Sequence, residues 1–323
     1  MNNSRDYSAY INDPPPSPYL YQILGGIGIV GTLVNLYILA TFIYSKRLLK
    51  SPSLLIGLTI THILNSLMHA IHGFWTPVYQ FDLVTSLYCI RIMWPNLFIT
   101  TFQLLPLFLA LAGLDRLLAV STPIWYRNHC TPSNLWQLTI LSFLIGVISM
   151  GINWLLAWLN SDHFVSAACI PPSILGDRYA IYGVHGPAVL GGICATICSG
   201  LGVHVGRQRI KKMPANSNAE MLRVRKQIKL AKCMLMIGIT NIFCVVIPNI
   251  LLALYNSGSV HFPLRYTIYP VMIYCMDSVL NIVAFAVFNK GFQQISLEFL
   301  CCLKNKIGPI SADAAATAAE NRK

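Results

Sequence analysis

Few residues of this 323-residue sequence can do chemistry, and most of those lie inside apolar stretches. Asp115 and Arg116 follow a run from Ile92 to Leu114 that carries no charge. A charge within a bilayer is costly unless paired or turned to water. Side by side, the two can neutralise each other near a membrane surface and leave the arginine free to change partner. The plainer alternative is an interfacial anchor pair. Asp277-Ser278-Val279-Leu280-Asn281 places a carboxyl, a hydroxyl and an amide in a second apolar stretch, and Thr61-His62-Ile63 places an imidazole in a third. His69 and His72 offer two ligands at helical spacing, but zinc takes at least three from the protein, and no third is evident. No metal, no cofactor and no enzymatic activity are expected. These groups suit charge pairing and hydrogen bonding in a low dielectric.

The elements that must carry them are long and apolar. About 20 apolar residues cross a bilayer as a helix, and seven stretches qualify: Leu20–Tyr44, Leu54–Trp75, Ser86–Ala119, Leu135–Leu159, Tyr179–Val205, Lys229–Tyr255 and Leu264–Phe288. Lipid offers the backbone no hydrogen bonds, so each is read as a helix. Pro95, Pro106, Pro187 and Pro248 predict kinks within them. The expected fold is an all-α membrane protein, a seven-transmembrane helix bundle over residues 20–288 behind an N-terminal tail at 1–19. Residues 289–304 follow with Phe292, Ile295, Phe299 and Leu300 at helical spacing, which suits a short amphipathic eighth helix on the membrane interface. The Ala-rich tail at 305–323 is expected to be disordered.

Composition agrees. The chain is 55% hydrophobic and 11% charged, against about 25% charged in soluble domains. Its net charge of +12 could signal nucleic acid or the cytoplasmic face of a membrane protein, and position decides. With seven spans and an outside N-terminus, only Arg5, Arg91, Arg178 and Arg265 fall outside, leaving 19 of the 23 Lys and Arg inside. That split follows the positive-inside rule and removes the nucleic-acid reading. The expected location is the plasma membrane, multi-pass, with the N-terminus extracellular and the C-terminus cytoplasmic. Asn2-Asn3-Ser4 then puts a glycosylation sequon, Asn2, on the outer tail.

Asp115-Arg116-Leu117, with Pro123 seven residues after the arginine, resembles the Asp-Arg-Tyr motif of rhodopsin-like (class A) G-protein-coupled receptors. Asp277-Ser278-Val279-Leu280-Asn281-Ile282-Val283-Ala284-Phe285 resembles that family's Asn-Ser-x-x-Asn-Pro-x-x-Tyr. Phe288-Asn289-Lys290-Gly291-Phe292 is similar to its passage into an eighth helix. Gly31 to Asn35, Pro187 and Pro248 fall where the family has a Gly-Asn pair and two helix prolines. The stretch Asp115–Pro123 followed by Ile124-Trp125-Tyr126-Arg127 is most similar to nematode serpentine chemoreceptors, among them the Srsx class. The resemblance implies a Cys89–Cys169 disulfide facing an oxidising exterior and palmitoylation at Cys301 and Cys302. It also implies coupling to a heterotrimeric G protein through Asp115, Arg116, Asn281 and Phe285.

Several positions depart from the pattern. His62 stands where the family keeps a sodium-binding Asp, and Asp277 where it keeps an Asn. Acid and partner are therefore expected to have exchanged places, His62 facing Asp277 across the core beside Asn35, Ser278 and Asn281. A nearby acid favours a protonated imidazole and desolvation opposes it; the alternative is a neutral, hydrogen-bonded core histidine. Val246 replaces the family's Trp in the sixth helix, Ala195 a Tyr in the fifth, and Ile282 and Phe285 the Pro and Tyr of the seventh. Cys89 and Arg116 are two residues further apart than usual, so the register at the top of the third helix is open.

Phe98 lies where amine receptors keep an Asp, which argues against an amine ligand. No lysine lies between Lys232 and Lys290, which argues against retinal. Trp94, Phe98, Phe102, Tyr182, Tyr269 and Tyr274 line the outer halves of the helices with His185 and Gln103 among them, a composition suited to a small organic ligand or simply to packing. The expected function is a receptor for a small organic, chemosensory ligand, with lipid bilayer and G protein as partners and homo- or hetero-oligomers left open. The rivals are a seven-helix ligand-gated channel of the odorant-receptor type, which needs the opposite topology, and a zinc-dependent membrane hydrolase, which needs converging ligands.

Overall fold

A computed structural model of the chain describes residues 16–44, 53–79, 82–159, 161, 164–167, 169, 174–213, 218–261, 263–288 and 292–300. Asn2, Cys301, Cys302 and the tail 305–323 lie outside the described residues, as do the side chains of Ile282 and Phe285.

The apolar stretches are helices: α1 (Pro18–Tyr44), α2 (Ser53–Tyr79), α3 (Met93–Ser121), α4 (Pro132–Leu159), α5 (Asp177–Lys212) and α6 (Glu220–Asn256). All six are long and apolar enough to cross a membrane. A further helix, α7 (Ile268–Phe288), has 21 residues and packs against α1 and α6. The chain is thus a predominantly helical membrane protein. Its large apolar side chains point outward as well as inward: on α4, Ile140, Leu144, Ile148 and Trp158 are exposed. In water so broad an apolar surface would drive association; in hydrocarbon it is the solvated surface.

The core runs along α2 and α3, where Met68, Trp94, Ile99, Phe102, Leu105 and Phe108 are fully buried. Glycines let α1 reach α2. A Cβ on Gly28 would sit 2.7 Å from the Ser66 carbonyl oxygen, and one on Gly73 would sit 2.5 Å from that of Tyr21. The two backbones touch there, as small residues allow in membrane helix pairs.

The single helix expected over Ser86–Ala119 is broken. Ser86–Arg91 is a short helix, Ile92 is extended (φ −78, ψ 143), and α3 starts at Met93. Pro95 falls in the first turn of α3, where a missing N–H costs nothing, so it starts the helix rather than kinking it. Asn96 stitches the break, its amide donating to the carbonyls of Ile92 (2.9 Å) and Ile90. The break lies between Cys89 and Arg116, the interval that carries two extra residues. Pro187 and Pro248 each follow a π-helical turn, Ala180–His185 and Ile242–Val246. Pro106 and Pro77 lie within α3 and α2.

The all-helical expectation missed one element. Leu83–Thr85 pairs antiparallel with Phe164–Ser166, Val84 opposite Val165, and the disulfide Cys89–Cys169 lies beside this ribbon. The bundle therefore has a disulfide end and, at the far ends of α3 and α6, an arginine end. Residues 292–300 are helical and dock on α1. Phe292 meets Phe42 edge-on at 6.1 Å, Phe299 lies 5.3 Å from Tyr44, and the Tyr37 hydroxyl bonds Ser296.

Candidate functional site

At the arginine end, Asp115 and Arg116 are both buried on α3 and paired. The Arg116 Nε donates to Asp115 Oδ2 at 2.7 Å and Nη2 to the same oxygen. The other carboxylate oxygen accepts from the Tyr126 hydroxyl at 2.7 Å. Arg116 Nη1 reaches across to α6 and donates to Gln227 Oε1 at 3.1 Å. Leu54, Leu55, Ala112, Leu135, Leu230 and Met234 wall the pair in, and in that low dielectric a charge needs such partners. Tyr126 sits on the short helix Pro123–His129 beyond α3. Burial, together with the Asp115 carboxylate, holds its hydroxyl well above the ordinary tyrosine range, Arg116 opposing; it stays a donor. Sequence reading missed Gln227 and the role of Tyr126. Eleven residues separate Tyr126 from Asp115 and cross a helix break, so no periodicity could pair them.

The middle of the bundle holds a hydrogen-bonded chain through four helices. Asn35 of α1 donates to the Gly31 carbonyl and to that of Ser278 on α7, both at 2.8 Å. His62 Nε2 lies 2.5 Å from the Asn281 amide nitrogen and Nδ1 lies 3.2 Å from Ser278 Oγ. An amide nitrogen only donates, so Nε2 accepts and Nδ1 carries the proton; the orientation of the Asn281 amide is assigned from these bonds. Ser278 Oγ also accepts from Asn65 Nδ2 (3.3 Å), whose Oδ1 accepts from Thr101 of α3 (3.3 Å). His62 and Asp277 do face each other, 4.0 Å apart at closest, but without a hydrogen bond. Both Asp277 oxygens are buried with no hydrogen-bond partner among the described residues. The imidazole turns to the neutral groups Asn281 and Ser278 because both of its nitrogens find well-placed partners there. Asn65 was legible, one turn after His62; Thr101 was not.

Toward the disulfide end the expected ligand-lining residues divide. Trp94, Phe98, Phe102 and Tyr274 gather in one buried cluster, Phe98 stacking on Phe102 at 4.2 Å and Phe102 on Tyr274 at 4.1 Å. His185 borders it, 6.3 Å from Phe102. Its nitrogens are engaged by Asn249 Oδ1 (2.7 Å) and Asn256 Nδ2 (3.2 Å) of α6.

Tyr182, Tyr269 and Gln103 do not join. Tyr182 is 77% exposed; it and His185 lie on a π turn, which rotates less per residue than an α-turn, so residues three apart no longer return to one face. Tyr269 is 45% exposed; five residues from Tyr274, it lies roughly 140° around the helix. Gln103 is spent elsewhere. Pro187 has no N–H for the carbonyl four residues back, and that carbonyl, of Gly183, accepts instead from Gln103 Nε2 at 2.9 Å. Gln103 also donates to Tyr179 (3.3 Å) and accepts from Ser149. The cluster's missed members are His69 and His72. His72 stacks on Trp94 at 4.4 Å, and His69 lies 5.6 Å from Tyr274. Among the described residues no group of three or more His, Cys, Asp or Glu is placed to hold a metal ion.

No family model matches the chain, and no curated protein matches it.

Proposed function

We propose that this chain is a seven-helix, rhodopsin-like receptor of the plasma membrane, N-terminus outside, that binds a small organic ligand toward the disulfide end and activates a heterotrimeric G protein at the arginine end. The observation that carries the reading is the Arg116 contact set. A buried arginine holds its own acid on α3 and, with a second nitrogen, a neutral side chain on α6. Such a link is a latch between two helices that can exchange partners when they part. Ligand binding would shift a pre-existing equilibrium toward the parted state. Supporting features are the basic residues gathered at one end of the sequence topology, the disulfide and the helical stretch 292–300 docked on α1. That stretch is read as the eighth helix and α7 as the seventh span, with Cys301 and Cys302 as its acylation sites.

Arg116→Ala tests the proposal. Cell-surface abundance, read by an N-terminal epitope on unpermeabilised cells, should be retained, while cAMP and calcium responses to pooled small molecules are lost. Retained responses would remove the role of Arg116. An epitope reachable only after permeabilisation would remove the orientation and favour a channel of inverted topology.

A further inference from the structure

The aromatic cluster between α2, α3 and α7 carries hydrogen-bonding groups that nothing in the protein uses. Both ring nitrogens of His69, both of His72, Nε1 of Trp94 and the hydroxyl of Tyr274 are buried and lack a hydrogen-bond partner among the described residues. Buried polar groups are nearly always paired, because each one left bare is costly. Here four side chains are bare in one place. They are contiguous: Tyr274 lies against His69 (5.6 Å), His69 and His72 occupy successive turns of α2, and His72 stacks on Trp94 (4.4 Å). Gln103 and His185, which the sequence also places among the ligand-lining residues, are engaged by contrast.

The chemistry of the bare groups selects an occupant. An indole N–H donates only, a neutral imidazole carries one N–H, and a phenol supplies one O–H. The cluster can therefore offer four donors, and the two imidazoles and the phenol also carry one acceptor each, but no two of these groups bond one another; the indole N–H can only donate, so the occupant must bring an acceptor. A carboxylate would supply one but finds no Lys or Arg in the cluster, and meets the carboxyl of Asp277 one turn from Tyr274. An ammonium brings donors alone and leaves the indole N–H bare. A hydrocarbon leaves all four bare. The walls, Phe98 and Phe102, are flat aromatic rings.

We propose that this cluster is the ligand site of the receptor and that it takes a small uncharged carbonyl compound, a ketone, aldehyde or ester with a flat apolar body. The carbonyl oxygen accepts from Tyr274, His69, His72 or Trp94, and the body inserts against the Phe98–Phe102–Tyr274 stack. The inference rests on the receptor reading above but is tested without signalling.

The full-length chain in lipid nanodiscs is titrated with acetophenone, benzaldehyde and methyl benzoate, and with ethylbenzene, benzoate and 1-phenylethylamine, binding being read by saturation-transfer NMR. At least one carbonyl compound should bind, and the other three should bind at least tenfold more weakly. Tyr274→Phe and Trp94→Phe, each removing one donor, should weaken the carbonyl compound by about three- to tenfold. Binding by none of the carbonyl compounds overturns the proposal. So does equal binding of the hydrocarbon, acid or amine, or carbonyl binding unchanged in both variants. Binding in nanodiscs alongside a wild-type chain that gives no G-protein response would retain the site and discard the receptor reading.

Discussion

The link between Arg116 and Gln227 can be cut without touching the arginine. Gln227→Ala removes the α6 side chain that accepts from Arg116, at 3.1 Å, and leaves the Asp115 pairing and the Tyr126 hydrogen bond in place. A hydrogen bond to a charged group contributes about 1.5–3 kcal/mol. This one is partly buried, so the lower figure applies, and water compensates some of it once the helices part. A loss of about 1.4 kcal/mol shifts an equilibrium about tenfold. If the parted state couples, ligand-independent cAMP or calcium signalling per receptor at the surface should rise by up to that factor. Gln227→Glu turns the contact into an ion pair and should push the basal level below wild type. Basal signalling of Gln227→Ala at or below wild type, with equal surface abundance, would refute the latch. So would a rise in Gln227→Glu.

Gln103→Leu strips the Gly183 carbonyl of its donor and should cost about 1–3 kcal/mol, read as a lower thermal midpoint in nanodiscs; an unchanged midpoint would mean that the α5 turn does not need α3. Gly73→Leu should prevent α1 from docking, because even its Cβ would lie 2.5 Å from the Tyr21 carbonyl; gel filtration of the detergent-solubilised protein should show aggregate, and a monodisperse peak would contradict the packing. Tyr126→Phe should lower stability by about 1.5 kcal/mol at neutral pH. Because burial raises the Tyr126 hydroxyl's pKa in the folded state, its contribution is present below the ordinary tyrosine pKa and is lost only as pH rises beyond that range. A difference between wild type and Tyr126→Phe that disappears by mild alkali would oppose this assignment.

The helices were legible because membrane spanning is written in length and hydropathy, which need no neighbour. So was the Asp115–Arg116 pair, since adjacent residues carry their own partner. What required the fold were contacts between helices. The sequence brings His62, Asp277 and Asn281 to one neighbourhood, but not the hydrogen bond by which the Asn281 amide takes the imidazole from the acid. Hydrophobic patterning is weak here because lipid-facing and core-facing residues are both apolar, so Tyr182 and Phe98 look alike until a neighbour distinguishes them. The spacing of Tyr269 and Tyr274 did carry a warning, as five residues cannot share one helical face. The break at Ile92 was foreshadowed only by the surplus between Cys89 and Arg116.

The bond from Gln103 to the Gly183 carbonyl bears on how the protein is made. Helices enter the membrane in chain order, and a carbonyl without a donor in hydrocarbon is penalised. The proline of α5 creates one such carbonyl within that helix, and the group that satisfies it belongs to α3, which has entered earlier. The fifth helix is therefore not an independent insertion unit. It completes its own backbone only by meeting a residue already waiting in the bilayer, so its correct seating reports that the third helix is in place and correctly rotated.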